Sequence, residues 1–382
     1  MAPGLAAANP RSGMTKVKIM QTPVRFSPYI GGVEKYVLEL GKKFVALGNE
    51  TSVVCADEPR ADSGNVAGIK VTRLPYIAKV ANTNITPGLF RTLMRADFDV
   101  IHTHIPSPWG PEISALVSLL KRKPLCVTYH NDIVGHGVNA VLAGLYNATC
   151  LHLVLWRAKT IVVTQPKYIE RSSYLKRHHK KIAVIPVGVS EVAPSPNLVA
   201  HKPNHIFFMS ILDKYHDYKG LEVLLRAVAK LKGEGIQVRL FVGGGGDSLG
   251  RYRQFSSSLD IDDVTDFLGV LTDQEVADAY YTSSIFVLPS LNKLEGFGIV
   301  ALEALSVGTP VITTHMAGSA EFISSNRAGL IVRPGDVDEL TVAIKMLLDD
   351  PNETRIMGER GIMAVRREFG WTSIAQRILE KY

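Results

Sequence analysis

Two carboxylates and two glycines come close together in the stretch EGFGIVALEA, which begins at Glu295 and includes Gly296, Gly298 and Glu303. Glycines at a junction between a strand and a helix let the backbone approach a ligand and present N–H groups to an anion. Carboxylates are good acceptors for the hydroxyl groups of a sugar. The pattern therefore predicts a site for a sugar joined to a diphosphate.

The elements around this stretch explain how it is positioned. An apolar run typical of a buried strand precedes it (285–289), and the stretch opens an apolar helix that extends to about Val307. The same alternation of strand and helix recurs along the whole chain, which indicates parallel sheets covered by helices on both faces. Open parallel sheets bind ligands beyond the carboxyl ends of their strands, so a cleft between two such domains is the expected site.

The length of the chain and an interruption of its strand–helix pattern predict two domains. A chain of 382 residues is longer than a domain with a single hydrophobic core usually is. Prolines and polar residues interrupt the alternation between Ser190 and Asn204. The predicted division is a disordered leader or artificial extension (1–13), a first doubly wound domain (14–190), a linker (191–204), a second doubly wound domain (205–370) and a C-terminal segment (371–382).

Charge is distributed unevenly along the chain. Residues 1–190 contain 24 Lys and Arg against 11 Asp and Glu, a net charge of +13, whereas the remainder contains 19 against 25, a net charge of −6. A basic first half is consistent with an anionic surface or substrate, including peripheral contact with an anionic membrane. The run KRHHKK (176–181) is its densest basic cluster. Simple charge for solubility is the alternative.

Several classes of protein do not fit the sequence. No run of 18 apolar residues suggests a transmembrane helix. Basic residues interleaved with aromatic ones, as in nucleic-acid modules, are missing. The Asp-x-Asp pairs at Asp97 and Asp336 have the positions of structural residues, and the His-x-His pair at His102 comes without a third ligand, so no metal site is predicted. Three cysteines in apolar surroundings indicate free thiols.

Two further groups of candidates belong to the first domain. Gly31 and Gly32 follow the first strand and precede the first helix, where a backbone turn could face the ligand. His130 ends another strand, where a neutral imidazole could hydrogen-bond a sugar hydroxyl or move a proton. An ordinary turn and a structural histidine are the alternatives that the residues leave open.

The second domain adds a pair of lysines and a run of glycines. Lys219 begins a helix and Lys214 lies five residues earlier. Because a lysine at a helix N-terminus is unfavourable to the macrodipole, contact with a phosphate explains its presence better than a solvated loop does. Gly244 lies in the run GGGGD after a strand, and no Gly-x-Gly-x-x-Gly or P-loop pattern follows.

Taken together, these segments resemble the retaining nucleotide-sugar glycosyltransferases of the GT-B architecture, group 1 or family 4-like, from Val17 to about Tyr382. The most specific part is Pro289-Ser290, then Glu295 to Gly298, then Glu303-Ala304 and Gly308 to Val311. The fold that this implies is α/β, with two doubly wound Rossmann-like parallel-sheet domains facing an interdomain cleft. The resemblance also implies that the N-terminal domain (14–190) binds the acceptor, that the C-terminal domain (205–370) binds the nucleotide sugar, and that a C-terminal helix (371–382) crosses back to the first domain.

The resemblance assigns a role to each candidate. Glu295 would bind hydroxyls of the donor sugar, and Glu303 the ribose hydroxyls. Lys219 would neutralise the diphosphate. The remaining assignments are the Phe297, Gly298 and Ile299 amides at the sugar or diphosphate, Gly31 and Gly32 at the diphosphate, His130 at the donor sugar, and Gly269 to Leu271 beside the base. Where the family has Gly-Arg-Leu, this chain has Ser210-Ile211-Leu212, so Lys214 would supply the second positive charge.

The implied reaction is metal-independent transfer of a hexose-type sugar, with retained configuration, from a nucleoside-diphosphate sugar to a hydroxyl acceptor such as a lipid or lipid-linked glycan. The catalytic residues would be Glu295, His130 and Lys219. The nucleotide sugar, with a UDP-sugar favoured, would be a co-substrate, and no cofactor or nucleic acid is expected. The expected location is the cytoplasm. Peripheral attachment to the inner face of the membrane is a further hypothesis. An epimerase or hydrolase on the same fold and a non-catalytic sugar-nucleotide-binding protein are the alternatives.

Overall fold

The computed structural model describes residues 16–29, 31–80, 83–130, 144, 146–164, 168–169, 172–189, 193–196, 198, 202–292 and 294–382. The predicted leader lies outside these residues, and the predicted linker lies partly outside them. Two compact units are present, one of residues 1–188 with 371–382 and the other of residues 189–370. Val189 pairs with Gly370 in an isolated bridge, so the second unit begins and ends at the same place.

The first unit has an eight-stranded sheet in the order β10-β9-β8-β7-β1-β2-β4-β3. All neighbours pair in parallel except β3, which is antiparallel to β4. The strands, with a separate hairpin of β5 and β6, are Lys18–Thr22 (β1), Glu50–Ala56 (β2), Gly64–Val66 (β3), Ile69–Leu74 (β4), Ala78–Val80 (β5), Thr83–Ile85 (β6), Val100–Ile105 (β7), Leu125–Tyr129 (β8), Thr160–Val163 (β9) and Ile182–Val184 (β10).

Helices cover both faces of this sheet. Helices α2, α3, α4 and α5 bury apolar residues in one core, and α1 and α13 bury theirs in the other. This arrangement explains the continuous apolar runs of the central strands, which are buried on both faces. The helices are Gly32–Ala46 (α1), Gly88–Arg95 (α2), Gly110–Leu120 (α3), Cys150–Arg157 (α4), Ser173–Lys176 (α5) and, from the end of the chain, Trp371–Leu379 (α13).

The second unit repeats the design with a six-stranded parallel sheet in the order β13-β12-β11-β14-β15-β16. Its strands are Lys202–Met209 (β11), Arg239–Gly243 (β12), Thr265–Gly269 (β13), Ser283–Leu288 (β14), Val311–Thr314 (β15) and Gly329–Val332 (β16). Its helices are Leu221–Gly233 (α6), Leu249–Ser258 (α7), Asp273–Thr282 (α8), Ile299–Ser306 (α9), Ala320–Ser325 (α10), Val337–Asp349 (α11) and Pro351–Phe369 (α12).

Two sheets of parallel strands, each covered by helices, confirm the predicted fold class. Strand boundaries differ from those that the sequence pattern predicts by a few residues: the apolar residues near the start predict a strand over Lys16 to Met20, whereas β1 spans Lys18–Thr22. Strand β11 begins at Lys202, inside the stretch predicted as linker. Among the described residues, none of the helices is both long and apolar enough to span a bilayer.

Candidate active site

A lysine and a glutamate form an ion pair at the edge of the second sheet. Lys219 Nζ lies 3.2 Å from Glu295 Oε1 and 3.0 Å from Oε2, and the two side chains are only 14% and 5% exposed. Lys219 ends a 3₁₀ turn (Asp217–Lys219) after β11, and Glu295 lies in the loop after β14. Because β11 and β14 are neighbours in the sheet, their carboxyl ends bring these loops together.

A buried serine completes this group. Ser290 Oγ donates a hydrogen bond to Glu295 Oε2 at 3.0 Å, and Ser290 is fully buried. The carbonyl of Ser290 accepts a hydrogen bond from Thr314 Oγ1 at 2.6 Å, which ties the loop to the next strand, β15. The carboxylate is therefore held by two donors in a fixed position. We call Lys219, Ser290 and Glu295 the Lys–Ser–Glu group.

A glycine in a left-handed conformation allows the two loops to meet. Gly220 has φ +79°, and a Cβ there would lie 2.2 Å from the carbonyl oxygen of Pro289. The Leu291 N–H also donates to the Tyr218 carbonyl at 2.7 Å. Any residue other than glycine at position 220 would push Lys219 away from the loop that carries Glu295.

Helix α9 begins immediately after the Lys–Ser–Glu group. Its N-cap residue is Gly298, with φ +73°, so no side chain caps the first amides of the helix. The loop carbonyls point elsewhere: Gly318 N–H donates to the Gly296 carbonyl at 2.9 Å, and Ser319 N–H donates to the Phe297 carbonyl at 3.0 Å. Uncapped amides and the positive end of the helix dipole suit an anion such as a phosphate.

Side chains around the start of α9 are held in different ways. The Phe297 ring packs against Phe369 with ring centres 5.5 Å apart, so this side chain belongs to the core and only its backbone is available to a ligand. Ile299 is exposed.

Ser319 is fully buried, and its Oγ has no hydrogen-bond partner among the described residues. Nothing in the sequence singled out Ser319, whereas Ser290 stood in the recognised motif without an assigned role.

Glu303 lies farther along the same helix and is half-buried. The Tyr280 hydroxyl donates to its Oε2 at 3.4 Å. Burial and the adjacent Glu303 carboxylate raise the pKa of Tyr280 well above its ordinary value, so the phenol keeps its proton and its donor role. Tyr280 is thus a partner of Glu303 that sequence reasoning did not find.

Lys214, the predicted second positive charge, lies in a turn organised by Asp213. Asp213 Oδ1 accepts from the N–H groups of Tyr215 and His216 and lies 2.7 Å from His216 Nδ1. Lys214 itself is exposed, with its Nζ 5.0 Å from the centre of the Tyr215 ring. Its contact with a diphosphate stays a prediction.

The glycine run after β12 has a packing role. Gly244 has φ +116°, and a Cβ there would lie 1.7 Å from the Ser210 carbonyl oxygen. The Gly244 N–H donates to the Gly269 carbonyl at 2.7 Å. Close backbone packing is enough to require glycine at 244. Leu271, half-buried beside Gly243, packs in the core. Donor contacts of Gly244 and Leu271 stay predictions.

In the first unit, the predicted glycines open helix α1. Gly31 is its N-cap residue, in extended backbone, and a Cβ on Gly32 would meet nothing within 4 Å. Behind them, Arg25 is buried, with Nε 3.6 Å from Glu34 Oε1 and Nη1 3.6 Å from Glu58 Oε2. This buried ion-pair network supports the loop, and sequence reasoning missed its two glutamates.

His130 follows β8, as expected for a residue at a ligand-facing sheet edge. It is half-buried, its ring meets Tyr36 edge-on at 5.0 Å, and its Nε2 has no partner among the described residues. Burial lowers the pKa of His130 to about 4. The imidazole is therefore neutral near pH 7, and it can donate a hydrogen bond to a hydroxyl group or accept one from it. Asn131 and Asp132, the next two residues in the sequence, lie outside the described residues.

The two histidines of β7, His102 and His104, pack inside the first unit. His102 hydrogen-bonds Tyr382 through Nδ1 (2.7 Å) and Thr128 through Nε2 (2.6 Å). His104 stacks between His102 and His130, with ring centres 4.7 and 5.8 Å away. Within the described part of the chain, no three His, Cys, Asp or Glu side chains are grouped as metal ligands would be.

Comparisons with known proteins agree with this arrangement. Residues 190–363 match the family described as glycosyl transferases group 1, and residues 31–188 match the glycosyl transferase 4-like domain. The phosphatidyl-myo-inositol mannosyltransferase of Mycolicibacterium smegmatis is 26% identical over 361 residues, which cover 92% of this chain and 90% of that one. The D-rhamnosyltransferase WbpZ of Pseudomonas aeruginosa is 27% identical, with 90% and 89% covered.

A solved structure shows the same fold. HepE of Anabaena in complex with UDP superposes with a TM-score of 0.65 at 19% identity, covering 95% of this chain and 98% of that one. The two family matches lie on the two units, and together they span most of the chain. The chain belongs to the group 1 glycosyltransferases and has the GT-B fold.

Proposed function

We propose that this glycosyltransferase moves a hexose from a nucleoside-diphosphate sugar to a hydroxyl of a lipid or lipid-linked acceptor, with retained configuration and without a metal. The observation that carries the proposal is the Lys–Ser–Glu group beside the uncapped start of α9. It offers a cation and helix amides for a diphosphate next to a carboxylate for sugar hydroxyls.

The proposed chemistry assigns one task to each component. Lys219 and the amides of α9 stabilise the negative charge that develops on the leaving diphosphate. Glu295 accepts hydrogen bonds from sugar hydroxyls and orients the ring. The leaving phosphate oxygen takes the proton of the acceptor hydroxyl on the same face of the sugar. The bond from the anomeric carbon to phosphate oxygen breaks, and the new bond to the acceptor oxygen forms, without a base from the protein.

His130 and the glycines of the first unit complete the proposed donor site. A neutral imidazole suits a hydrogen bond with a sugar hydroxyl, and the open space around Gly32 suits close approach of a ligand.

The names of the relatives support the choice of donor and acceptor. The mycobacterial relative is named for transfer of mannose to phosphatidyl-myo-inositol, the Pseudomonas relative for transfer of D-rhamnose, and the Anabaena protein was solved with UDP. We therefore propose a lipid acceptor and a hexose donor, with a UDP-sugar as the first candidate. A peripheral place on the inner face of the membrane follows from this acceptor.

The test is a transfer assay with the purified chain. Radiolabelled UDP-, GDP- and ADP-sugars are incubated with phosphatidylinositol vesicles in the presence and absence of EDTA, and the anomeric configuration of the product is determined by NMR. We expect label in the lipid fraction, unchanged by EDTA, with the configuration of the donor. Inverted product or loss of activity with EDTA would contradict the mechanism. Release of free sugar without lipid product would indicate a hydrolase.

A further inference from the structure

One outer surface of the first unit is both apolar and basic. Leu116, Leu119 and Leu120 are exposed on α3, and Leu153 and Trp156 are exposed on α4, with exposed fractions between 45% and 66%. Residues three and four apart share one face of a helix, so each helix presents an apolar stripe to solvent. We call these five residues, with the basic segment Lys176 to Lys181, the helix face.

The two stripes belong to one continuous surface. Helices α3 and α4 bury their opposite sides in the same core, which shows that they cover the same face of the sheet. Arg157, at the end of α4, donates to the carbonyls of Ser118 (3.0 Å) and Lys123 (2.9 Å), which fixes the C-terminal ends of both helices side by side.

The basic segment adjoins the same surface. Arg177 Nη1 lies 3.1 Å from His152 Nε2, and His178 Nε2 lies 3.1 Å from His152 Nδ1, so both residues contact α4. Lys181 Nζ donates to the carbonyl of Trp156. These contacts place the positive charges of the segment next to the exposed tryptophan.

Positive charge dominates around the stripes. The stretches 88–96, 113–123, 150–159 and 172–184 contain eleven Lys and Arg and no Asp or Glu. The one acidic residue of α3, Glu112, is half-buried and accepts a hydrogen bond from the Tyr146 hydroxyl. Surfaces that recognise proteins usually mix charges, with a polar rim of both signs. Exposed leucines and a tryptophan inside a field of lysine and arginine suit the interface of an anionic bilayer.

We propose that the helix face docks the chain on anionic membranes, with Leu116, Leu119, Leu120, Leu153 and Trp156 inserting among the lipids and the basic segment contacting phosphate headgroups. This inference deepens the membrane contact of the proposed function by naming the surface and its partner. It requires no sugar transfer.

Vesicle binding with the full chain tests the inference. The wild-type chain should co-sediment with vesicles of phosphatidylglycerol and phosphatidylcholine, and bind pure phosphatidylcholine at least roughly tenfold more weakly. Leu153→Ser with Trp156→Ser, and Lys176→Glu with Arg177→Glu and Lys180→Glu, should each reduce binding to the anionic vesicles by at least about tenfold.

Matched variants serve as controls. Val342 and Met346 are exposed to a similar fraction on α11, so Val342→Ser with Met346→Ser replaces two comparably exposed apolar side chains on the other unit. Lys42→Glu with Lys43→Glu reverses charges on α1, which covers the other face of the first sheet. Both controls should bind the anionic vesicles as the wild type does, and thermal melting should show that all the variants are folded.

Fluorescence reports on insertion directly. Trp156 is 65% exposed, whereas Trp371 is 5% exposed and Trp109 is half-buried, so the anionic vesicles should shift the emission of Trp156 to shorter wavelength. The shift should disappear in Trp156→Phe, and brominated lipids should quench the wild-type signal.

Several results would overturn the inference: no vesicle binding, equal binding to neutral vesicles, or equal losses in the control variants. Self-association of the chain that Leu153→Ser with Trp156→Ser abolishes, without vesicle binding, would make the helix face a protein interface instead. The proposed function is checked separately, because nucleotide binding without vesicles should be unchanged in the helix-face variants. Vesicle binding as expected by a chain that transfers no sugar would leave this inference intact and contradict the proposed function.

Discussion

Glu295 and Lys219 each explain the other's position. A carboxylate that is only 5% exposed needs a charged or hydrogen-bonding partner, and the lysine and Ser290 supply both. The pair is buried enough to be fixed in place, and it stands where the sequence pattern predicted contact with a sugar diphosphate. If Lys219 also contacts a phosphate oxygen of the donor, the carboxylate still keeps the hydrogen bond from Ser290.

Replacing either charge should abolish most of the transfer activity. We expect Glu295→Gln and Lys219→Ala each to lower kcat/KM by roughly 10²–10³-fold, since each removes charge or positioning that the transition state needs. Steady-state transfer kinetics with the true donor measure the effect. Lys230→Ala removes an exposed lysine that pairs with Asp338 at 2.7 Å, and it should be neutral. Full activity in both site variants would exclude the group from the site.

Ser290 permits a finer test of positioning. Ser290→Ala removes one buried hydrogen bond to Glu295 and leaves its ion pair with Lys219 intact. We expect a loss of about tenfold in kcat/KM, equivalent to about 1.4 kcal/mol, and wild-type melting within a few degrees. Kinetics equal to wild type would show that Lys219 alone orients the carboxylate.

At the scale of elements, the loops after β11 and β14 meet through Gly220. Gly220→Ala should destabilise the second unit by about 2 kcal/mol or more, because the left-handed backbone and the contact with the Pro289 carbonyl both disfavour a side chain. Gly235→Ala is the matched control, since Gly235 has φ +75° with nothing within 4 Å of a Cβ, and it should cost only about 1 kcal/mol. Urea unfolding measures both, and equal losses would show that the contact is unimportant.

Three histidines, two on β7 and one directly after β8, make the stability of the first unit depend on pH. Burial lowers the pKa of His102 to about 3 and that of His130 to about 4, and it holds the pKa of His104 well below its ordinary value. The unfolded chain takes up protons on these rings near their ordinary pKa of about 6.5, whereas the folded chain does not. The free energy of unfolding of the first unit is therefore not reduced by these rings above about pH 6.5. It decreases as the pH drops from about 6.5 toward the pKa values of the rings in the folded state.

Unfolding experiments at two pH values measure this effect. We expect the urea midpoint of the first unit, followed by Trp371 and Trp109 fluorescence, to be lower at about pH 5.5 than at about pH 7.5. The variant His102→Gln with His104→Gln should show a smaller difference between the two pH values. A midpoint that is equal or higher at the lower pH would contradict the neutral, buried state of these rings.

Elements with strong apolar patterns were predictable from the sequence, and weakly apolar ones were not. The sequence predicts strands over 69–74 and 125–129 because apolar and β-branched residues predominate in both runs, and strands Ile69–Leu74 and Leu125–Tyr129 have these bounds. Helix α7 was not predicted because most of its residues are polar, and its only fully buried residues are Tyr252 and Ser256. The short hairpin of β5 and β6 was missed because three-residue strands show too little alternation to be recognised.

The candidate site shows the same limit. The motif around Glu295 located the carboxylate and the helix start, since their residue types are tied to their chemistry. Its pairing with Lys219 depends on two loops that lie 76 residues apart in sequence, and the contact of Tyr280 with Glu303 depends on tertiary packing. Such contacts leave no local pattern in the sequence.

At the scale of the whole molecule, the end of the chain belongs to the first unit. Trp371, Ile374, Ala375 and Ile378 of α13 are buried in the core that α1 and the first sheet share. Gly188 leaves room for the Trp371 indole, because a Cβ there would lie 2.3 Å from its Cδ2. The second unit is therefore inserted between two pieces of the first.

Removal of residues 371–382 should accordingly destabilise the first unit, although the deletion lies next to the second unit in sequence. Exposing this part of the core costs several kcal/mol, at about 1.5–3 kcal/mol for each large apolar side chain. Hydrogen exchange followed by mass spectrometry should show faster exchange in β1, β2 and α1 and little change in β14 and β15. The reverse distribution would contradict the assignment of α13.

The central claim is that the Lys–Ser–Glu group receives the diphosphate of the donor, and calorimetric titration tests it most directly. Nucleoside diphosphate and the matching monophosphate are titrated into the wild-type chain and into Lys219→Ala, with Lys230→Ala as the control. The wild type and the control should bind the diphosphate more tightly than the monophosphate, and Lys219→Ala should lose most of this preference. An unchanged preference in Lys219→Ala would contradict the account.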